Sequence, residues 1–410
     1  MRDAGKILFF ASGTHFMVHL YENSFGGILK SLQNEWGGDY AAIGTLGLPL
    51  FFLFGLMAVP GGWLADRYGS KRILLACLFG ASLASLSASF TRELFGIHPM
   101  VVLGFLLAVL GVFVGLYHPA GLSFISRGVE RKGRAMGIHG ILGNLGLAAA
   151  PFSATWLASA FGWRSAFLVM AVPAAFLGVA LLLNEFEVQE GTGKGSGSFS
   201  WKDLAPREEG PHRISPILLL YAISAFNGLT YRMILVYLPS YYRERIGEAT
   251  FFSLSGMVLA GFLTTAVLLI GTIGQWGGGR LADRGNAERL YFLTFAVTAP
   301  LAWIVGRSTG AVLLLSSVIF SVVFFSMQPL KNYILAHHAP RKAQGLTFGF
   351  IFFLEFGIGS FGSSVGGAIA DRWGLASVFY VCSILLALMA CVAALLLPRR
   401  VSTEAVRAVT

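Results

Sequence analysis

The sequence predicts an all-α membrane protein of twelve transmembrane helices, arranged as two pseudo-symmetric six-helix bundles. Three observations carry that prediction. Of the 410 residues 55% are hydrophobic and only 12% charged, with a mean hydropathy of +0.71; soluble chains carry about one-quarter charged residues. The apolar residues fall into runs of about 20, long enough to cross a bilayer as helices, separated by short polar loops. The second half of the chain also repeats motifs of the first.

The runs place spans at 7–31, 41–65, 73–91, 100–126, 134–159, 165–184, 214–239, 254–281, 290–306, 311–335, 343–369 and 377–397. The net charge of +10 does not indicate nucleic acid, because the basic residues recur in alternate loops rather than on one face. With both termini in the cytoplasm, most of the 30 Lys and Arg residues lie on that side, Arg127, Arg131, Lys132 and Arg134 among them. Lys30, Arg92, Arg164, Arg243, Arg245, Arg307 and Arg372 lie outside, and Arg232 and Lys331 fall within spans. This bias predicts a cytoplasmic-membrane protein with both ends inside. Cys77, Cys382 and Cys391 sit in apolar segments without disulfide or metal spacing. The first run lacks a small-residue cleavage site and reads as a retained span. The Gly- and Ser-rich stretch EGTGKGSGSFSWKDLAPREEG reads as a flexible linker over 185–213, dividing the chain into bundles at 1–184 and 214–410.

The repeat is visible in pairs of segments. GGWLADRYGSKR (61–72) follows span 2 and GGGRLADRGNAER (277–289) follows span 8. YHPAGL in span 4 matches MQPLKN in span 10, with Pro119 and Pro329 at equivalent places. FGWRSAF (161–167) echoes RWGLASVF (372–379), and LYEN (20–23) echoes TYRM (230–233). Parallel six-helix repeats imply alternating access around a site between the halves near the midplane.

The LADR loops resemble the signature of the major facilitator superfamily, Gly-x-x-x-Asp-Arg-x-Gly-x-Lys/Arg. The matching residues are Gly62, Asp66, Arg67, Gly69, Lys71 and Arg72, and in the second copy Gly279, Asp283 and Arg284. Ser70 stands where a basic residue is common, and the second copy is one residue short after Arg284. An Asp in such a loop meets a helix N-terminus or an Arg of the next helix, so these residues are candidates for a conformational latch. ADRWG (370–374) is similar in sequence but falls on the outer side, where it reads as a span-end turn. More finely, HFMVHLYENSF, GLYHPAG, KGRAMGIHGILGNLG and GLTYRMILVYLPSYY resemble the fosmidomycin-resistance branch of drug efflux proteins. His19 replaces a residue that is often acidic there, span 4 lacks a central Arg, and span 5 reads GNLGLAAAPF rather than Gly-Pro-x-x-Gly-Gly.

Ionisable groups inside a bilayer are costly, about 2.5–3.5 kcal/mol on insertion scales, and therefore mark function. Glu22 and Glu355 are the acidic residues that fall inside predicted spans. Glu22 lies about 22 Å along span 1 from its cytoplasmic end at 1.5 Å per residue, and Arg232 holds the equivalent place in span 7. The expectation is that the two pair across the halves, and that protonation of Glu22 releases the pair. Glu355 competes for Arg232 or acts as a separate proton site. His15, His19 and Glu22, at i, i+4 and i+7, share one helix face. That stripe can pass protons or, with His118 of span 4, ligate a transition metal. Lys331 reads as snorkelling to the cytoplasmic interface. Asn144, Gln328, Asn227, Tyr231 and Tyr221 are further polar cavity candidates. Phe226, Phe324, Phe325, Phe348 and Phe352 suit a partly apolar substrate.

No nucleotide motif and no nucleophile–base pair stands out, so the expectation is a non-enzyme with no cofactor and no dedicated metal site, coupled to protons and acting as a monomer in the lipid bilayer. The adopted reading is export of small amphiphilic organic compounds. The alternatives are symport of an organic anion through Arg232, and divalent metal export through His15, His19 and Glu22.

Overall fold

The computed structural model describes residues 3–130, 132–186, 215–246, 250–251, 253–282, 284–338 and 344–397. The first bundle contains α1 (Ala4–Trp36), α2 (Tyr40–Leu56) continuing as α3 (Ala58–Tyr68), and α4 (Ser70–Ser89). It goes on through α5 (Pro99–Gly115) continuing as α6 (Tyr117–Gly128), α7 (Lys132–Phe161) and α8 (Arg164–Leu183). The second contains α9 (Pro216–Ile246), α10 (Gly256–Ala282), α11 (Ala287–Arg307), α12 (Gly310–His338), α13 (Gln344–Phe352) leading to α14 (Gly362–Trp373), and α15 (Leu375–Ala394). A two-residue hairpin, β1 (Thr250–Phe251) with β2 (Leu254–Ser255), precedes α10. Nearly all of the predicted linker, and Asp283, Arg131, Arg341 and Lys342, lie outside the described residues.

Among the described residues ten spans are long and apolar enough to cross a membrane unaided, and the α2–α3 pair, bent by 44°, makes an eleventh. The twelfth is α1, a 33-residue helix whose polar residues lower its hydropathy. Three spans that read as continuous in the sequence are interrupted, and two of the breaks have the same cause. Proline removes the N–H that would bond the carbonyl four residues earlier. Pro60 and Pro119 release the carbonyls of Leu56 and Gly115, the residues at which α2 and α5 end. The third break lies between α13 and α14, where Phe353–Gly357 forms a π-turn and Ile358–Phe361 a 3₁₀ turn.

Packing repeats with the sequence. An added Cβ on Gly62 would stand 3.4 Å from Pro119 Cβ, and one on Gly279 would stand 3.8 Å from Pro329 Cβ. The two LADR loops turn at left-handed glycines, Gly69 at φ 89° and Gly285 at φ 86°. With no water in the bilayer core, hydroxyls bond the backbone of neighbouring helices. Ser82 and Ser85 of α4 donate to Ala171 and Phe167 of α8. In the equivalent pair, Ser383 of α15 donates to Ala299 of α11. Large apolar side chains such as Phe9, Phe105, Phe176 and Trp276 cover the outside of the bundles.

At the end away from the LADR loops the bundles are clasped together. Asp371 of α14 accepts from the backbone N–H groups of Tyr40 and Ala41 at 2.7 Å each, capping α2 from the opposite half. Asp39 caps the next N–H, that of Ala42, at 2.7 Å. Tyr237 of α9 donates to the carbonyl of Ser363, with the Tyr40 carbonyl at 3.3 Å. The ADRWG segment is thus more than a span-end turn. Gly374 does turn the chain at φ 82°, but Asp371 reaches across the interface, a contact that no local reading of five residues reveals.

Candidate transport site

Two buried ion pairs stand inside the bilayer region. Glu22 of α1 and Arg232 of α9 meet at 2.5 Å across the interface between the halves. Their side chains are 0% and 2% exposed, so neither charge is shared with solvent. The Arg232 guanidinium also lies 3.7 Å from the centroid of the Phe51 ring. The second carboxylate oxygen of Glu22 lies 2.9 Å from Nδ1 of His19. A carboxylate can only accept, so His19 carries its hydrogen on Nδ1. Asn23 stands beside them, donating to the His19 carbonyl at 3.0 Å.

The second pair is within the C-terminal half. Glu355 sits on the π-turn between α13 and α14, and one of its oxygens accepts from Lys331 of α12. The other accepts from Asn227 of α9 at 2.9 Å. Two sequence expectations are corrected here. Lys331 does not reach for the membrane surface: it is 2% exposed and turned inward to Glu355. Glu355 does not compete for Arg232, because Lys331 and Asn227 take both its oxygens. The physical reason is a backbone approach invisible in sequence. Gly228 lets α9 touch the carbonyl of Glu355, and a Cβ there would collide with it. The irregular turn points the carboxylate toward α12 and α9.

Around His15 and His19 the site is richer than the sequence implies. His15 Nδ1 lies 2.9 Å from the carbonyl of His139 on α7, and their rings stack at 4.2 Å. Gly143, one turn further, has no Cβ and leaves room for the His15 ring. His118, at the start of α6, meets both rings edge-on at 5.1 and 5.3 Å. Donor atoms of His15, His19 and His118 all lie within 4.8 Å of one another. Glu22 lies outside that group, behind His19, to which it is hydrogen-bonded.

The other predicted residues scatter. Asn144 hydrogen-bonds Gln275 of α10 across the halves, and Thr265 donates nearby to the Ala148 carbonyl at 2.6 Å. Tyr231 borders an apolar cavity in the C-terminal half with Phe320, Phe324 and Phe325, next to the hydroxyls of Ser317 and Ser321. Gln328 is half-buried on α12. Phe226 is 48% exposed on the outside, and Phe352 packs on His118 at 4.7 Å. Tyr221 packs on Phe350 at 4.9 Å. In the first LADR loop Asp66 accepts from Arg127 of α6 at 2.5 Å, but this pair stays within one half and Asp66 is 63% exposed. Lys71 donates to the Asn184 carbonyl at 2.7 Å, Arg72 to that of Tyr68 at 3.4 Å, and Arg67 lies over Trp63. Arg284 is exposed in the second loop.

A family model of the Major Facilitator Superfamily matches residues 11–363. The chain belongs to the Major Facilitator Superfamily. Like its family it works as a secondary transporter by alternating access, and it is not an enzyme. This facilitator is 26% identical over 390 residues to the 4-hydroxybenzoate transporter PcaK of Pseudomonas aeruginosa, covering 86% of this chain and 82% of that one. It is 23% identical over 395 residues to the fosmidomycin resistance protein of Escherichia coli, covering 94% and 91%. Its fold matches a bacterial homolog of the human lysosomal transporter Spinster, inward-facing and occupied, with a TM-score of 0.77 at 14% identity over 95% of this chain and 96% of that one. It also matches the inward-open xylose transporter XylE of E. coli, with a TM-score of 0.75 at 14% identity and 99% coverage of both chains.

Sequence reasoning missed His139, Gln275, Lys331 as a partner, and Asp371. His139 was visible as a further histidine inside an apolar span, in GIHGILGNLG. Gln275 carried no signal and ADRWG marked Asp371 only as part of a span-end turn, since their partners lie 131 and 331 residues away.

Proposed function

We propose that this facilitator couples proton movement to the transport of small, partly apolar organic compounds across the cytoplasmic membrane, in the direction of export. The observation that carries the reading is the Glu22–Arg232 pair, buried and spanning the two halves. In the orientation given by the Lys and Arg bias, the end clasped by Asp371 is the outer one, and the pair lies on the path of opening. Two charges held together in low dielectric resist separation. A proton on Glu22 removes the attraction, and His19, bonded to the same carboxylate, is placed to deliver it. Arg232 is then left without a counter-charge, which an acidic substrate group or the next deprotonation of Glu22 would restore. The apolar cavity beside Tyr231 and Phe324 suits the non-polar part of such a compound.

A second reading, symport of an organic anion, is favoured by Arg232 together with relatives named for 4-hydroxybenzoate, sulfoacetate and galactarate/D-glucarate transport. The LADR residues, with Asp66 and Arg127 paired, remain the proposed latch of the inner side.

The test is counterflow in proteoliposomes under an imposed pH gradient, comparing aromatic acids with uncharged amphiphiles in the wild type, Glu22→Gln and Arg232→Ala. The expected result is gradient-driven transport in the wild type that loses its dependence on the pH gradient in Glu22→Gln. Undiminished proton-driven transport by Glu22→Gln would overturn the coupling. Inward, anion-only transport would replace export by symport.

A further inference from the structure

We infer that the N-terminal half carries a binding site for a divalent transition-metal ion of the zinc class, with His15, His19 and His118 as its three protein ligands. Four of the chain's eight histidines (His15, His19, His118 and His139) gather here, contributed by α1, α6 and α7. The site does not depend on the substrate or the coupling proposed above.

Tautomer and orientation provide the argument. His15 gives its Nδ1 hydrogen to the His139 carbonyl, and His19 gives its Nδ1 hydrogen to Glu22. In a neutral imidazole with hydrogen on Nδ1, the lone pair is on Nε2. Both rings therefore offer Nε2, and each is fixed by an outer partner of the kind that orients metal-bound histidine, one a backbone carbonyl and one a carboxylate. Nε2 of His15 is buried without a hydrogen-bond partner, and so is Nε2 of His118, while His15 as a whole is 8% exposed. An unpaired nitrogen in such a place costs free energy that a metal bond would recover. Ligand nitrogens on a tetrahedral ion at about 2.0–2.1 Å stand about 3.4 Å apart. One ring nitrogen of each of the three histidines lies within 4.8 Å of the others, so small shifts of the rings close the set. Phe54 and Phe352 flank His118 and keep the surroundings apolar. Three imidazoles with a fourth position left open match Zn²⁺, Co²⁺ or Ni²⁺ rather than Ca²⁺ or Mg²⁺.

The position gives the ion a consequence. A metal on His19 keeps the Nδ1 hydrogen on that ring and its bond to Glu22 in place. Glu22 then stays the acceptor and remains paired with Arg232. Occupancy of the site clamps the inter-half pair in its closed arrangement.

The experiment is titration of the full-length, purified chain, freed of any polyhistidine tag, with Co²⁺ followed by visible absorption, then displacement by Zn²⁺. One Co²⁺ per chain with tetrahedral-type d–d bands is expected. His118→Ala and His15→Gln should each weaken binding at least tenfold, while His337→Ala/His338→Ala on the surface leaves it unchanged. Glu22→Gln, which changes the outer partner of His19 and leaves the three ligand side chains in place, should weaken it about 10- to 100-fold. Melting temperatures without metal establish that each variant is folded, and either His variant suffices if the other fails. Absence of the bands, equal affinity in a folded His118→Ala or His15→Gln, or loss of binding in the surface variant would each overturn the site.

Discussion

The carboxylate of Asp371 caps the N-terminus of α2 by accepting from the backbone N–H of Tyr40, although the two residues are 331 positions apart and belong to different bundles. A helix N-terminus leaves its first N–H groups without intrahelical partners, and its dipole favours an anion there. The cap is thus formed in one conformation and lost when the bundles part. Replacing Asp371 with Ala removes two charge-assisted bonds worth about 1–2 kcal/mol together, a five- to thirty-fold change in the closed-to-open ratio. Spin labels at Arg92→Cys and Arg307→Cys, in a background without the native cysteines, should show a longer distance population in Asp371→Ala. An unchanged distribution would mean the closed end is held by packing alone.

Arg232→Ala should be more damaging to folding than Glu22→Gln. It leaves a carboxylate buried at 0% exposure with only His19 and Asn23 as partners. Breaking a buried pair from one side costs about 3–5 kcal/mol, whereas replacing both partners by apolar groups is often near neutral. The double variant Glu22→Leu/Arg232→Met is therefore expected to melt above Arg232→Ala, with clearly non-additive shifts. Thermal unfolding in detergent measures this directly.

Gly228→Ala tests how Glu355 is aimed. The new methyl group has nowhere to go, because its neighbour is the Glu355 backbone rather than a movable side chain. Overpacking of this kind costs about 1–3 kcal/mol. The expected outcome is a lowered melting temperature that Glu355→Gln does not restore, since the clash is with the main chain.

Asp66→Ala, by contrast, should leave stability within about 1 kcal/mol of the wild type. Its partner Arg127 is in the same bundle and Asp66 is 63% exposed, a setting in which ion pairs contribute little. If Asp66 acts as a latch, the change should appear in transport rates or label distances and not in the melting temperature.

How far the sequence reaches depends on the range of the interaction concerned. Twelve apolar runs, the LADR repeat and the 210-residue offset between Glu22 and Arg232 are properties of the chain itself. Bilayer thickness and backbone hydrogen-bonding demand convert them into twelve helices in two equivalent bundles, with little freedom left. The offset also matches Glu22 with Arg232, because symmetry puts equivalent residues at equal depth. Side-chain direction was not legible. Lys331 reads in the sequence as snorkelling to the cytoplasmic interface, yet the π-turn at Phe353–Gly357 and the close approach at Gly228 bring Glu355 to it. His118 and His139 join His15 only because α6 and α7 pack against α1. Asp371 finds Tyr40 only because the bundles close on one side. Composition and periodicity determined what crosses the membrane and at what depth. Beyond Glu22 and Arg232, which polar groups meet was decided by helix breaks, missing Cβ atoms and the angle between two bundles, all set by packing between residues far apart in the chain.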